Sequence, residues 1–530
     1  MIKRVIYCSR HGWEQLSHQR LQIYQAGTPT NCYPLFEQLT KDTLDIEKIR
    51  LLVADLSGHF ALIIEGSNFW LACSDHCRSS PIFFHTESVS NDAHMLRSIK
   101  NLNTPNKRAM RDASMAGFVT GPNTLFAELN QLEAGTLALW QTGQTEPLVY
   151  KHTTYKPVAI RNIHQKSLAD DLMSVLDNTA ITTINAAKGK PIWVGLSGGL
   201  DSRLLLAKFV EHGCPDLHAF TYGPRGSDEI AIAQRVARQL KVDWVYQSNS
   251  PRIMKTFFSH TERKQYWTFC DGLSAVPTFQ DFLPLKMLIE KGRIPSDATI
   301  VNGQTGDFIS GGHIPEPLMT NKVHFEVLCD AIIKKHFSLW NSLKKPSRVH
   351  ILREELGKRF DCQPQTILER DEAIAFYEQF EYEERQAKYV INGQRNYEFL
   401  DLSWSLPLWS AEVVQFWRDV PTKQKYKQAL YRSALENWDY RGIFTGIRTT
   451  VSHWPGIAKA VLVPSRLLRL LFGTQTRDAY LKRMLYFGLY RDQYAPYGYI
   501  EFLRNASQLR NPVSLLSRTW LKELGLNTNY

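Results

Sequence analysis

Between residues 190 and 250 the apolar positions alternate between two rhythms. Ile192-Trp193-Val194-Gly195-Leu196 is a short, continuous, β-prone run, which predicts a buried strand. Arg203 to Glu211 carries helix formers and stops at Gly213, a residue suited to a helix C-cap. Leu217 to Tyr222 predicts a second strand. Ser227 can then cap a helix opened by Asp228 and Glu229, with Ala233, Val236, Ala237 and Leu240 on one stripe. Val242 to Tyr246 predicts a third strand. Strand, helix, strand, helix, strand within about sixty residues implies a parallel sheet with right-handed crossovers. Ligands of such sheets lie beyond the carboxyl ends of the strands.

The loop at the end of the first strand is Leu196-Ser197-Gly198-Gly199-Leu200-Asp201-Ser202. Two adjacent glycines let the backbone curl tightly, the serines add hydroxyls, and the helix behind offers unpaired N–H groups. That combination is a cradle for pyrophosphate, with Ser197, Gly198, Gly199 and Ser202 as the gripping residues. Asp201 would repel phosphate, so its natural role is to hold Mg²⁺ between carboxylate and phosphate oxygens. No GK[ST] follows, which excludes the kinase-type phosphate loop. The string resembles the SGGxDS signature of ATP pyrophosphatases, which split ATP into AMP and pyrophosphate.

Two further segments resemble asparagine synthetases. Ile300-Val301-Asn302-Gly303-Gln304-Thr305-Gly306-Asp307, followed by Ser310-Gly311-Gly312, is similar to that family's second nucleotide motif. The resemblance implies that Asp307 is the second Mg²⁺ carboxylate and that Gly303 approaches the adenosine or α-phosphate. Gln304 and Phe308 stand where the family has acidic residues. Leu406-Pro407-Leu408-Trp409, continuing through Val413, Phe416 and Trp417 to Val420-Pro421, resembles the block that leads to a catalytic lysine. Lys425 and Lys427 are the candidates, with Lys423 third. Ser403 and Ser405 replace the charged residues usual just upstream, so substrate contacts differ from those for aspartate.

The front third resembles a glutaminase domain in degenerate form. Leu56 to Leu62, Leu71 to Phe84 and the turn Ser74-Asp75-His76-Cys77-Arg78 are similar to its paired strands. Asn123 to Phe126 through Leu132 to Gly135 is similar to its closing strand pattern. An active glutaminase exposes Cys after Met1, but position 2 is Ile2, so no glutamine hydrolysis is expected. β-Lactam synthetases, lasso-peptide cyclases and asparagine-synthetase-like proteins of surface-polysaccharide pathways share that loss. Trp404 with Leu406 to Trp409, and a basic tail, resemble the last group.

The implied fold class is α/β. A degenerate glutaminase-like (Ntn-type) layered α+β domain (1–155) precedes a doubly wound parallel-sheet ATP pyrophosphatase domain (166–440), then a basic helical C-terminal extension (441–530). The junction is expected in the polar stretch Thr153–Gln165, before a helix starting near Ser167. The implied activity is ATP-dependent amide ligation with ATP and Mg²⁺. A carboxylate is adenylated, pyrophosphate leaves, and ammonia or an amine attacks the acyl carbon. The acceptor is a small-molecule or sugar carboxylate. Alternatives are a non-catalytic nucleotide-binding relic and a pyrophosphatase acting on tRNA, which would favour a reactive cysteine pair that Cys214 and Cys270 do not form.

Composition narrows this further. The 530 residues are 43% hydrophobic and 22% charged, ordinary for a globular chain with sizeable cores. No stretch of eighteen apolar residues exists, and Val5 to Cys8 is too short for a signal segment, so a cytoplasmic protein is expected. Eight scattered cysteines suggest reduced thiols, with Cys73 and Cys77 as half-buried strand thiols rather than zinc ligands. Of the net charge of +11, residues 441–530 hold thirteen Lys/Arg against four Asp/Glu. Ser465 to Phe472 sets Arg466 and Arg469 among Leu467, Leu468, Leu470 and Leu471, a basic amphipathic helix pattern. It is read first as a helical subdomain with a solvated basic face. The next reading is peripheral contact with an anionic membrane or lipid-phosphate-linked substrate. Nucleic acid is the third, and an unlikely partner. Oligomeric state leaves no trace in the sequence.

Overall fold

A computed structural model describes residues 4–41, 43–144, 146–157, 165–447, 456–486, 491 and 493–526. Ile2 and residues 158–164 of the expected junction lie outside the described residues.

The front third is built in four layers. A six-stranded antiparallel sheet runs Leu148–Lys151, Thr136–Gln141, Phe69–Ser74, Phe60–Glu65, Leu21–Gly27, Trp13–His18. A four-stranded sheet runs Val5–Ile6, Ser88–Ser90, Phe83–His85, Asn130–Gln131. Ala61, Ile63, Trp70, Ala72 and Trp140 from the first sheet meet Val5, Phe84 and Val89 from the second in one apolar cluster. The opposite pleat of the first sheet, through Leu62, Ile64, Leu71 and Leu139, buries the helices Tyr33–Leu39 and Ile46–Ala54. Ile6 and Phe83 of the second sheet cover Ala93–Lys100 and Lys107–Ala116. Phe60–Glu65 and Phe69–Ser74 are therefore apolar without alternation, as strands covered on both faces must be. Cys73 and Cys77 are fully buried rather than half-buried, and burial pushes both thiols far above their ordinary range. The closing strand lies further along than expected. Asn123–Phe126 is a loop bridged to Asn130 and Pro105, and the long strand begins only at Thr136.

The second sheet system is parallel throughout, in the order Asp243–Ser248, Leu217–Gly223, Ile192–Gly195, Thr299–Val301, Ser403–Ser405. The chain steps outward twice from Ile192–Gly195, then returns to its other side. The reversal falls between Ile192–Gly195 and Thr299–Val301, whose register pairs Val194 with Val301. Both loops leaving these strands therefore emerge side by side at the switch point. Ser227 caps its helix by accepting from the Ile230 N–H, and Ala233, Val236, Ala237 and Leu240 are buried. The helix after the first loop starts at Leu200, three residues earlier than the sequence pattern indicated.

Ten residues of π-helix, Glu381–Val390, run between the layers. Glu381, Glu383, Glu384 and Lys388 are buried. Lys388 Nζ donates to Glu384 at 2.7 Å and to the Gly121 carbonyl at 2.6 Å, while Arg359 pairs with Glu384 and, at 2.8 Å, with Glu383. Exposed Lys151 reaches buried Glu383 at 2.6 Å, so front and rear are joined by an ion pair at the edge of this network. The C-terminal helix Pro512–Glu523 also packs forward: Ser517 donates to Ala113 O at 2.6 Å and Trp520 to Asp271 at 2.8 Å. No helix among the described residues is long and apolar enough to cross a membrane.

Burial opposes ionisation of Glu384, but Lys388 and Arg359 lower its pKa to about 2. A depressed carboxylate contributes stability that is complete above its unfolded pKa of about 4.3 and is lost as pH falls toward the folded value. Glu384→Gln should cost about 3–5 kcal/mol near neutrality and flatten the acid limb below pH of about 4. Thermal unfolding from pH 3 to 7 reads both, and an unchanged acid limb would count against this network.

Candidate active site

The first loop is shaped by its own serines. Ser202 Oγ accepts the Ser197 N–H at 3.0 Å and lies 3.1 Å from Ser197 Oγ, which accepts the Gly199 N–H at 3.2 Å. Arg203, fully buried, donates to the Gly198 carbonyl at 2.9 Å and to the carbonyls of Ile443 and Ile447 at 2.8 Å each. The loop is thereby fixed to a turn 240 residues later in the chain.

The second loop lies directly on the first. A Cβ at Gly303 would stand 2.7 Å from the Ser202 nitrogen, and one at Gly306 would overlap the Asp201 carboxylate. Absence of side chains at these two positions is what permits the approach. The Asp307 N–H then donates to Asp201 Oδ2 at 3.1 Å, and the Tyr431 hydroxyl to Oδ1 at 2.8 Å. Burial and the neighbouring Asp307 charge raise the Asp201 pKa to about 7.

His313 completes the arrangement. Its Nε2 is 3.0 Å from Asp307 Oδ2 and its Nδ1 2.6 Å from Glu381 Oε1. Burial alone would lower the imidazole pKa; the two carboxylates overcome it and raise it to about 9, so His313 is a cation at neutral pH. Burial also works against Asp307, yet His313 holds its carboxyl below the ordinary range. From Glu381 the chain of hydrogen bonds continues. Gln386 Nε2 donates to Glu381 at 3.2 Å, the Thr305 hydroxyl to Gln386 at 3.2 Å, and the Trp409 indole N–H to Thr305 Oγ1 at 2.6 Å. Thr305 has φ of 84°, a left-handed conformation costly for a β-branched residue, and these two partners hold it there.

Ser197, Gly198, Gly199, Asp201, Ser202, Gly303 and Asp307 thus share one place. The three lysines separate. Lys425 runs along the second loop, its backbone against Gly311, but its amine is buried on Glu378 at 2.6 Å and 3.3 Å from the Tyr155 hydroxyl. Lys427 and Lys423 are exposed, Lys427 with φ of 56°. Gln428 turns inward to Ser310 at 2.8 Å. His313, Glu381, Gln386, Tyr431 and Arg203 were not picked out from the sequence. His313 follows Ser310-Gly311-Gly312 directly, and that adjacency was the available signal.

The turn Asp75–Arg78 of the front layers also reaches this region. Buried Asp75 accepts the N–H groups of Phe60, Cys77 and Ser79 at 2.7, 3.0 and 3.0 Å. His59 then meets the Trp409 carbonyl at 3.1 Å and His76 the Tyr382 hydroxyl at 2.7 Å.

Residues 184–279 match the family model for asparagine synthase. That span holds the first loop and the strands Ile192–Gly195, Leu217–Gly223 and Asp243–Ser248, and ends before the second loop. No curated protein matches the chain. Among solved structures, the allosteric regulatory enzyme of purine biosynthesis is 10% identical, covering 44% of this chain and 62% of its own, with a TM-score of 0.18. This chain thus spans less than two thirds of that enzyme's length. Glutamine phosphoribosylpyrophosphate amidotransferase from B. subtilis, solved with ADP and GMP, is 10% identical over 47% and 75%, with a TM-score of 0.20.

Gly303→Ala should force the two loops apart, because the obstructing atoms are backbone. We expect Mg-ATP affinity to fall by about tenfold or more with little change in secondary structure. Calorimetric titration checks it, and wild-type affinity would refute the close approach. Trp409→Phe should remove about 1–3 kcal/mol of stability by leaving Thr305 and its strained turn without a donor. A thermal melt reads this, and an unchanged midpoint would show that the indole N–H does not support the loop.

Proposed function

We propose that this protein is an ATP-dependent carbon–nitrogen ligase. It adenylates a substrate carboxylate with release of pyrophosphate and passes the acyl group to ammonia or an amine, without hydrolysing glutamine itself. The observation that carries this is the apposition of the Ser197–Ser202 loop with the Asp307 loop at the switch point of a parallel sheet. The match of residues 184–279 to asparagine synthase supports the same chemistry at the level of the family.

The donor set fits Mg²⁺: two carboxylates, Asp201 and Asp307, are drawn together by the Asp307 N–H, and oxygen ligands suit a hard cation. Asp201 is raised first by burial and then by the neighbouring Asp307 charge, and a divalent cation would relieve that second part. When bound, Mg²⁺ supplies charge neutralisation for the phosphates. The remaining work falls to the protein. The first loop and the start of helix Leu200–Glu211 offer N–H and hydroxyl donors to the phosphate chain. His313 holds a positive charge beside Asp307, suited to offset negative charge developing as pyrophosphate departs. Lys425 acts from behind the second loop, where its pair with Glu378 fixes the segment carrying Gln428. Lys427, exposed on the same turn with its amine over the Tyr426 ring, is the lysine we assign to a bound nucleotide.

The decisive experiment is pyrophosphate release from Mg-ATP with and without ammonia, across aspartate, uronic acids and nucleotide-linked uronates. A sugar carboxylate is the acceptor we favour, following the Trp404 to Trp409 pattern. Carboxylate-dependent release that Asp201→Asn and Asp307→Asn lack would establish adenylation. ATP binding with silence across a broad panel would point instead to a nucleotide-binding relic. Two substitutions divide the lysines. Lys427→Ala should lower kcat by about a hundredfold with an unchanged melting point. Lys425→Ala should cost about 3–5 kcal/mol of stability by stranding Glu378. Reversed outcomes would exchange their roles.

A further inference from the structure

The helix Gly456–Met484 carries an apolar face that points away from the protein. Val463, Leu467, Leu470 and Leu471 are 70, 60, 83 and 61% exposed, and their spacing of four, seven and eight residues from Val463 puts them on one side. Val461 and Ser465, on the opposite side, are buried. Phe472, 65% exposed, ends this stretch just before the kink at Gly473. A lone exposed leucine is ordinary, but a complete apolar stripe turned outward has no packing partner among the described residues.

Charge identifies what covers it. From Arg441 to Arg477 the sequence holds six basic residues and no Asp or Glu. Arg466 and Arg469 are exposed beside the stripe. A second copy docking face to face would set like charges against each other. A nucleic acid would engage the arginines but leave the leucines in water. An anionic lipid surface satisfies both, with leucines among the upper acyl chains and arginines reaching up to phosphates. We propose that this helix seats the protein on an anionic membrane face, lying in the interface rather than crossing it.

Flotation of the full chain tests this, using vesicles of phosphatidylcholine alone and with about a third phosphatidylglycerol, at about 0.15 M salt. The protein should float with the anionic vesicles only. Arg466→Gln and Arg469→Gln should each weaken binding about fivefold. The combined Leu467→Ser, Leu470→Ser, Leu471→Ser variant should weaken it about a hundredfold, its melting point unchanged because all three side chains are exposed. Phe472→Trp, an independent reporter, should shift its emission to the blue on anionic vesicles. The proposal is overturned by absence of flotation, by equal flotation on neutral vesicles, or by flotation that survives the triple substitution. Lipid-free self-association abolished by that substitution would overturn it in favour of a second copy. RNA binding that persists in the triple variant, without flotation, would overturn it in favour of nucleic acid.

Discussion

A carboxylate withdrawn entirely from water must be compensated inside the protein, and the compensation of Glu381 organises this site. Burial opposes its charge, yet the hydrogen bond from His313 holds it ionised, below the ordinary carboxylate range. Because His313 spans from Glu381 to Asp307, the demand of one buried anion sets the position of an exposed one. Gln386 uses the same carboxylate oxygen to reach Thr305, so the second loop is gripped at both ends from a single residue of the π-helix. His336, fully buried 3.9 Å from the other oxygen, is pushed by burial down to about 3 and stays neutral, so the charge facing Glu381 comes from His313 and from Arg385, 3.6 Å away.

The parallel sheet was legible because its signals are local. Caps such as Ser227, the stripe Ala233 to Leu240 and the short apolar runs each declare themselves within a few residues. Asp201 stood out as an acidic residue in a glycine-rich loop after a strand, Asp307 through the resemblance to asparagine synthetases, and the structure brings the two together. The hidden part is equally physical. Glu381-Tyr382-Glu383-Glu384-Arg385 has the composition of a solvated helix, and besides Lys388 one turn on, it takes partners distant in the chain (Arg359, Lys151, Gly121) to make its burial tolerable. Arg203 reads as a helix former, since its carbonyl partners lie more than two hundred residues away. The lysine segment shows the limit of spacing: Lys423, Lys425 and Lys427 look equivalent, and a left-handed turn at Lys427 and Gln428 separates them.

The front layers contact the support of the second loop directly. Asp75 accepts from its own turn and from the Phe60 N–H, next to which His59 meets Trp409, while His76 within the turn meets Tyr382. Trp409 in turn holds Thr305. The first third of the chain therefore buttresses the loop that carries Asp307.

The forward packing of Pro512–Glu523 has a consequence for synthesis. The helix Lys107–Ala116 receives the cover of Pro512–Glu523 only after about 400 further residues have been synthesised. At about 5–20 residues per second, the roughly 400 intervening residues take about 20–80 seconds. During that interval the part of Lys107–Ala116 that Pro512–Glu523 later covers stays open to solvent on the growing chain, so the front layers finish packing long after they are made.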